Sequence, residues 1–254
     1  MKNLSLLGVG LLSLTLLAAC SSTNSATKDS GSKEIKVSSS SSKAKPKTNS
    51  VITATNELAA NSKSTGEIYV TGTMTVGDSG TIKPGIYDLH ITGGDGNIQG
   101  ERKSVNGLYL NWIGGAPGNE NNASSIFRII LMDGDTVEFR DIAKVNFVAV
   151  PEKVTPTTQL GQGEYVVGRD IPAGNYKLST NVQLDPSLSN SGWDISIYDD
   201  SKGSESDQQY NPSSPDVAVS LKEGQIISTS FDGVNPTTQG SYGDTAKLIF
   251  TAMK

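Results

Sequence analysis

The stretch Ile82-Lys83-Pro84-Gly85-Ile86-Tyr87-Asp88-Leu89 decides the fold, because it recurs as Ile171-Pro172-Ala173-Gly174-Asn175-Tyr176-Lys177-Leu178. The two matched glycines lie 89 positions apart (174 − 85), and in each copy a proline and a glycine precede an alternating apolar run. Proline fixes φ near about −65° and glycine admits positive φ, so the pattern indicates a turn that leads into a strand. The chain is therefore predicted to contain one β-rich unit twice.

Two further matches occur in the same order along the chain. Residues 131–135 match 221–225 at an offset of 90, and residues 143–149 match 246–252 at an offset of 103. The offset rises by 13 (103 − 90), which predicts an insertion in the second copy at 232–244.

Strand-like alternation fills both copies, which we place at 66–150 and 161–254 with a linker at 151–160. Apolar and polar residues alternate over short runs such as 68–76 and 145–149, and this period is typical of half-buried strands. No helical periodicity follows residue 66. The predicted fold class is all-β: two tandem antiparallel β-sandwich, jelly-roll-like repeats, each large enough for a modest core.

The N-terminus has the pattern of an export signal. Lys2 precedes an apolar stretch at 4–17, and small residues follow at Ala18 and Ala19. A charged start, a short apolar region and small residues before a cleavage point are typical of secretory signals. We therefore predict that residues 1–19 are removed.

The segment Leu17-Ala18-Ala19-Cys20 resembles the lipobox of bacterial lipoproteins. The resemblance implies that the Cys20 sulfur carries a diacylglycerol. It also implies that the chain is anchored to the outer face of the bacterial plasma membrane, on the extracellular side. Two acyl chains supply the two signals that stable anchoring needs, so membrane lipid is the first expected partner.

The stretch after the lipobox is polar. Residues 21–50 contain 11 Ser and six Lys, with almost no large apolar side chain. Such a stretch cannot bury enough surface to offset the conformational entropy that it would lose on folding. We therefore expect residues 20–65 to be a disordered tether. The alternative for its last part is a short helix over 52–62. Its net charge of +4, from six Lys against Asp29 and Glu34, suits either a solvated spacer or contact with anionic headgroups.

The segment 167–176, Val-Gly-Arg-Asp-Ile-Pro-Ala-Gly-Asn-Tyr, resembles a repeat of secreted and lipid-anchored proteins of Gram-positive bacteria. The resemblance implies an extracellular location and a β-rich build, and it implies no activity. It covers about the first third of each copy. The first copy departs from it, because two extra residues lie between Gly77 and Ile82 and the proline is shifted by one position.

Composition excludes several kinds of site. The 254 residues include one Cys and one His, so the chain can form neither an internal disulfide nor a His/Cys zinc site. The repeats have net charges of −4 (6 − 10) and −6 (6 − 12), which disfavours nucleic acid as a partner. No cofactor or metal is expected. Calcium is the alternative, because oxygen donors occur at alternate positions in Asp199, Ser201, Gly203, Glu205 and Asp207.

Two short motifs suggest catalysis and fail on their context. Gly77-Asp78-Ser79-Gly80 has the order of a protease nucleophile loop, but the single His, His90, follows Ser79 and lies in a predicted strand. Gly94-Asp95-Gly96 lacks the strand-to-helix context of a dinucleotide site and is predicted to be a glycine-rich loop. No catalytic residue is predicted.

The predicted binding surface is a set of loops. We place Trp112 and Trp193 in corresponding strands, and the longest irregular stretches, 114–125 and 199–216, follow them. Long loops on a rigid sandwich often carry binding groups, although they are also found as unconstrained tips. The insertion at 232–244 adds a further loop. The candidate binding residues are Asn119, Glu120, Asn121, Asn122, Asp207, Gln208, Gln209, Tyr210 and Tyr242.

The sequence thus predicts a membrane-anchored extracellular lipoprotein with a non-catalytic binding or surface-interaction role. Duplicated modules on a tether suit avidity for a protein or glycan ligand. The alternatives are a cell-envelope enzyme, such as a carboxylate-dependent glycosidase, and a structural or immunity protein of the envelope. A carboxylate pair about 5–10 Å apart in an apolar cleft would favour the enzyme. A solute-binding lipoprotein is disfavoured, because it needs two α/β lobes.

Overall fold

The structure is a computed structural model, which describes residues 50–103, 105, 107–238 and 240–254. The predicted signal at 1–19, the lipidation site Cys20 and the tether up to residue 49 lie outside the described residues.

The described part of the first repeat forms six strands: β1 (Glu67–Tyr69), β2 (Gly72–Thr75), β3 (Gly85–Glu101), β4 (Leu110–Gly115), β5 (Ile126–Leu131) and β6 (Thr136–Ala149). Strands β3 and β6 are long, and their pairing shifts register between Ile91 and Asn97. Gly94 lies at this irregularity with a φ of 81°, and a Cβ there would clash with the carbonyl oxygen of Asp141. The predicted glycine-rich loop at 94–96 is therefore wrong, because this segment is the bulge that bends β3.

The bend in β3 and β6 gives the first repeat two layers. One layer has the strand order β2-β6-β3-β4, and the other has the order β1-β6-β3-β5. Inward side chains from both layers form one core, with the aromatic residues Tyr87, Trp112, Phe127, Phe139 and Phe147 among its members.

The second repeat builds the same two layers from shorter strands: β7 (Gln159–Leu160), β8 (Gly163–Val166), β9 (Gly174–Thr180), β10 (Trp193–Asp199), β11 (Ser204–Tyr210), β12 (Ala218–Leu221), β13 (Ile226–Phe231) and β14 (Leu248–Ala252). One layer is β8-β13-β10-β11 and the other is β12-β9-β14-β7. By their pairing, β9 and β10 correspond to the two halves of β3, and β13 and β14 correspond to the two halves of β6. The insertion at 232–244 lies between β13 and β14, as predicted.

The matched segments of the two repeats adopt the same geometry. The hydroxyl of Tyr87 donates a hydrogen bond to the carbonyl oxygen of Lys83 at 2.9 Å, and Tyr176 makes the same bond to Pro172 at 2.9 Å. Each tyrosine ring also packs edge-on against a phenylalanine of the last strand of its repeat. The sequence similarity therefore marks one turn-and-strand unit built twice.

One predicted correspondence is wrong. Trp112 lies on β4, whose counterpart in the second repeat is β11, whereas Trp193 lies on β10, the counterpart of the second half of β3. Both indoles are buried in the core of their own repeat. A large aromatic ring suits any core-facing position, so its presence alone does not identify matched strands.

The two repeats share one sheet. Strand β5 pairs in parallel with β8 at Arg128 and Gly163, so the repeats share a ten-stranded sheet. Eight of its strands run in the order β1-β6-β3-β5-β8-β13-β10-β11, and the other two, β2 and β4, pair beside β6 and β3. The fold is the predicted all-β sandwich class. The predicted linker at 151–160 is too long, because its last two residues form the edge strand β7, which pairs with β14.

An apolar cluster fills the space between the repeats. It contains outward side chains from both, including Ile86, Ile130 and Ile226, and a helix, α1 (Ser50–Asn61), adds Ile52 and Ala59. The predicted tether at 20–65 therefore extends too far, and the alternative helix near 52–62 is confirmed. The apolar residues of the helix are spaced to bury one face, and the junction supplies the surface that covers them.

Candidate functional site

A groove of about 1020 Å³ lies where β4 of the first repeat faces the outer surface of the β8-β13-β10-β11 layer. Tyr109 and Asn111 of the first repeat line one side of it. The sheet contributes polar side chains from three adjacent strands: Ser228 and Ser230 of β13, Asp194 and Ser196 of β10, and Glu205, Asp207 and Gln209 of β11. The recess therefore combines both repeats.

Strand alternation explains why the sheet side of the groove is polar. On β13, Ile227 and Phe231 point into the core of the second repeat, so Ser228 and Ser230 point outward. The indole N–H of Trp112 donates a hydrogen bond to the carbonyl oxygen of Thr229 at 3.0 Å. This buried bond holds β4 against β13, and β4 forms the side of the groove that the first repeat contributes.

The groove carries negative charge. Asp194 accepts a hydrogen bond from the Gln209 amide at 2.7 Å, and the Ser196 hydroxyl lies within hydrogen-bond distance of both Asp207 and Glu205. Burial raises the pKa of the Asp194 carboxyl, the Gln209 bond opposes that shift, and the nearby charges of Asp232 and Asp207 add to it. The partners of these carboxylates within the groove are neutral.

A smaller cavity of about 500 Å³ continues the groove toward the insertion loop. Asn111, Trp112 and Ser230 line both cavities, so the two recesses adjoin. Asn121 and Asp232 line the smaller one. The lining of the combined recess therefore extends from Glu205 on β11 to Ser241 in the insertion loop.

The structure places one group of predicted binding residues on a strand. Asp207, Gln208, Gln209 and Tyr210 belong to β11, so their assignment to a loop is wrong. The reason is that β11 has polar residues at nearly every position, and this composition resembles a loop when the partner strands are not known. Asp207, Gln208 and Gln209 nevertheless line the groove, whereas Tyr210 packs at the margin of the second core.

The other predicted loops meet each other. Asn122 donates a hydrogen bond to the carbonyl oxygen of Ser241 in the insertion, and the Ser241 N–H donates to the carbonyl oxygen of Asn121 at 3.1 Å. Asn119 is bonded within its own loop, to Ala116 and Ala123. Of this group, Asn121 lines the smaller cavity.

Glu120 and Tyr242 line neither cavity. Glu120 is exposed. The Tyr242 hydroxyl donates to the carbonyl oxygen of Gln183 at 2.6 Å, and its ring lies 6.1 Å from that of Phe231. Tyr242 thus anchors the insertion loop.

Sequence reasoning missed several groove residues, including Tyr109, Asn111, Asp194, Ser196, Ser228 and Ser230. The signal for a half-exposed strand was present in the alternation of Asp194 and Ser196 with buried Ile195 and Ile197. The alternation does not predict that β4 lies opposite this face, because the position of β4 depends on how the two repeats pack together.

Metal ligands are not gathered in the described residues: no group of three or more His, Cys, Asp or Glu side chains among them is arranged to hold a metal ion. Of the calcium candidates, Asp199 accepts hydrogen bonds from Ser201 at the hairpin turn and from Gln225.

In the part of the chain that the structure describes, we also find no helix with the length and hydropathy needed to cross a membrane.

No protein-family model matches the chain, and no curated protein or solved structure matches it either.

Proposed function

We propose that this chain is a lipid-anchored lipoprotein of the bacterial plasma membrane that binds an extracellular ligand in the groove without transforming it. Membrane anchoring rests on the Leu17-Ala18-Ala19-Cys20 segment and the Ser-rich stretch that follows it. The duplicated sandwich provides a rigid support, on which binding groups can be held in fixed positions.

The observation that carries the binding role is the groove itself. A sheet face in a sandwich is commonly open to water, but here β4 and the loop before it rise beside the face and form a recess of about 1020 Å³. Tyr109 lines the groove with 68% of its surface exposed, so its ring is available to a ligand. Concave, partly polar recesses of this size are where proteins bind ligands.

A steric block tests the proposal. The full chain carrying Cys20→Ala, which removes the lipid attachment site, is presented to arrays of polysaccharides and peptides, with and without Ser228→Trp. Ser228 points into the groove from β13, so the indole is expected to reduce binding about tenfold or more by filling the recess. Tyr109→Ala is expected to weaken binding with no change in the melting temperature.

Ser220→Trp is the matched control, because Ser220 is an exposed position on β12 outside the groove. It should bind as the parent does. Equal binding by the Ser228→Trp variant, with its fold shown intact by its melting temperature, would contradict a binding role for this recess.

A carboxylate-dependent glycosidase is the second candidate, and one observation favours it. Asp194 pairs across the strands with Gln209, so Asp207 is its diagonal neighbour on the same face. Diagonal positions lie about 7–8 Å apart, a spacing from which two carboxyl groups can reach the separation of about 6.5–9.5 Å used by inverting glycosidases. Burial also raises the pKa of Asp194, as a general acid requires.

Turnover separates the two candidates. The polysaccharides that bind are incubated with the parent and with Asp194→Asn, and the release of reducing ends is followed. Release by the parent that Asp194→Asn abolishes would establish the enzyme. Binding without release supports the proposed role.

A further inference from the structure

The extent of the combined recess favours a chain-like ligand. The two cavities adjoin at Asn111, Trp112 and Ser230, and the larger one continues from there along β10 and β11. A single small molecule would occupy only part of such a recess. A linear polymer would contact both cavities at once.

The polar groups of the recess suit sugar hydroxyls. Ser196, Ser228 and Ser230 present hydroxyls that both donate and accept, and the amides of Asn111 and Gln209 do the same. The exposed ring of Tyr109 offers a flat apolar surface beside them, which the C–H face of a sugar ring can cover. The sheet side of the larger groove presents hydroxyl, amide and carboxylate groups from β13, β10 and β11. A carbohydrate therefore fits the lining better than a peptide does.

The charge of the recess narrows the class of carbohydrate. Five carboxylates line the two cavities: Asp194, Glu205, Asp207, Asp216 and Asp232. The described lining residues include no Lys, Arg or His. Lys177 compensates Asp216 at 2.7 Å. The Gln209 amide donates to Asp194, and the Ser196 hydroxyl lies within hydrogen-bond distance of both Glu205 and Asp207. Within the part of the chain that the structure describes, no Lys or Arg forms an ion pair with these three carboxylates to relieve their mutual repulsion.

We propose that the groove binds an oligosaccharide that carries free amines, with the ammonium groups between Asp194, Glu205 and Asp207 and a sugar ring against Tyr109. This inference rests on the proposed binding function and names its ligand class. An ammonium group removes the repulsion among the carboxylates, which a neutral sugar does not do. The Tyr109 ring adds attraction for a nearby cation through its π face.

Three probes of equal length test the inference on the full chain carrying Cys20→Ala at about pH 6, where amines are protonated and most carboxylates are ionised. They are the hexamer of glucosamine, the hexamer of N-acetylglucosamine and hexalysine. The glucosamine hexamer is expected to bind about tenfold more tightly than each of the other two. Raising the salt concentration should weaken it, because the attraction is electrostatic.

Variants of the carboxylates provide the second measurement. Asp194→Asn, Glu205→Gln and Asp207→Asn keep the side-chain shape and remove one charge each, and each is expected to weaken binding of the glucosamine hexamer several-fold. Glu152→Gln, an exposed charge outside both cavities, is the control and should leave binding unchanged.

The outcomes distinguish this inference from the function on which it rests. Equal or tighter binding of the N-acetylated hexamer overturns the amine requirement and leaves the binding groove standing. Equal binding of hexalysine overturns the choice of a carbohydrate. If neither sugar hexamer binds but Ser228→Trp blocks the binding of another ligand from the arrays, the amino-sugar inference is wrong and the proposed binding function stands. If Ser228→Trp also has no effect on any ligand, both proposals fall.

Discussion

The guanidinium of Arg102 in the first repeat is hydrogen-bonded to the carboxylate of Glu164 in the second, and both side chains are almost completely buried. Glu164 also accepts a hydrogen bond from the N–H of Ile130 at 2.9 Å. Burial raises the pKa of Glu164, and the Arg102 charge and these hydrogen bonds oppose that shift. The two repeats are thus joined by a buried charge pair in addition to the shared sheet.

Breaking this pair is expected to destabilise the whole chain. Arg102→Met leaves Glu164 buried without its cation, and such a loss typically costs about 3–5 kcal/mol of unfolding free energy. The double variant Arg102→Met/Glu164→Leu should recover part of that loss, because it removes one of the two buried carboxylates that Arg102 faces. The other, Asp135, lies 3.6 Å from Arg102 and keeps its hydrogen bonds from the N–H groups of Met132 and Lys103. Urea unfolding measures the unfolding free energy of both variants. If Arg102→Met has an unfolding free energy within about 1 kcal/mol of the parent's, the stabilising role given to the pair is wrong.

Separate fragments test how far each repeat is independent. Each has both layers of its sandwich, so we expect 66–150 and 161–254 to fold alone, but at lower melting temperatures than the full chain. The reason is that separation exposes the apolar cluster that α1 completes and separates Arg102 from Glu164. The fragment 157–254, which restores β7, should melt higher than 161–254. Absence of a β-type spectrum and of a transition in both fragments would refute independent folding.

The turn-and-strand unit could be predicted from the sequence because its causes are local. Proline and an alternating run set up the turn before β3 and before β9, and the hydroxyls of Tyr87 and Tyr176 close both turns in the same way. The expectation that the matched glycines supply positive φ is wrong: neither Gly85 nor Gly174 has one, and their lack of a side chain instead leaves room for the rings of Tyr87 and Tyr176. The insertion at 232–244 was also predictable, because matched segments flank it on both sides.

The groove could not be predicted, because its causes are not local. The polar run of β11 resembles a loop until β10 is known to pair with it, and Tyr109 resembles any exposed residue of a turn. The bend of β3 depends on a bulge at Gly94, where glycine alone does not distinguish a loop from a strand. The candidate site arises from the packing of one repeat on the other.

The lipid anchor is tested by fractionation of cells. If Cys20 is lipidated as proposed, Cys20→Ala is expected to move the protein from the membrane fraction to the soluble fraction or the medium, because Cys20 is the one thiol in the sequence that could carry acyl chains. Ser21→Ala, which changes the neighbouring residue and keeps the thiol, should stay with the membrane. Retention of the Cys20→Ala variant in the membrane at the level of the parent would show that something else anchors the chain.

Asp244 of the insertion loop holds the start of β5 in the first repeat. Its carboxylate accepts hydrogen bonds from the hydroxyls of Ser124 and Ser125, both at 2.6 Å, and from the N–H groups of Ser125 and Ile126 at 2.8 and 3.1 Å. Partial burial acts to raise the pKa of Asp244, but these hydrogen bonds outweigh it, so the pKa lies below its usual value. The ionised form is therefore the one that stabilises the contact between the repeats.

A pH series on Asp244→Asn tests this contact. A carboxyl whose pKa is lowered on folding adds stability above its unfolded pKa of about 4, and it loses that stability as the pH falls through the folded value. Because Asp244 is exposed to solvent on one side, we expect the variant to be less stable than the parent at pH 7 by about 1 kcal/mol. The difference should shrink as the pH falls below about 4, and it is lost once the carboxylate of the folded parent is protonated. Glu120→Gln, an exposed carboxylate of the facing loop, is the control and should show no such difference. A difference between Asp244→Asn and the parent that stays constant from neutral to acidic pH would mean that the charge of Asp244 does not support the junction.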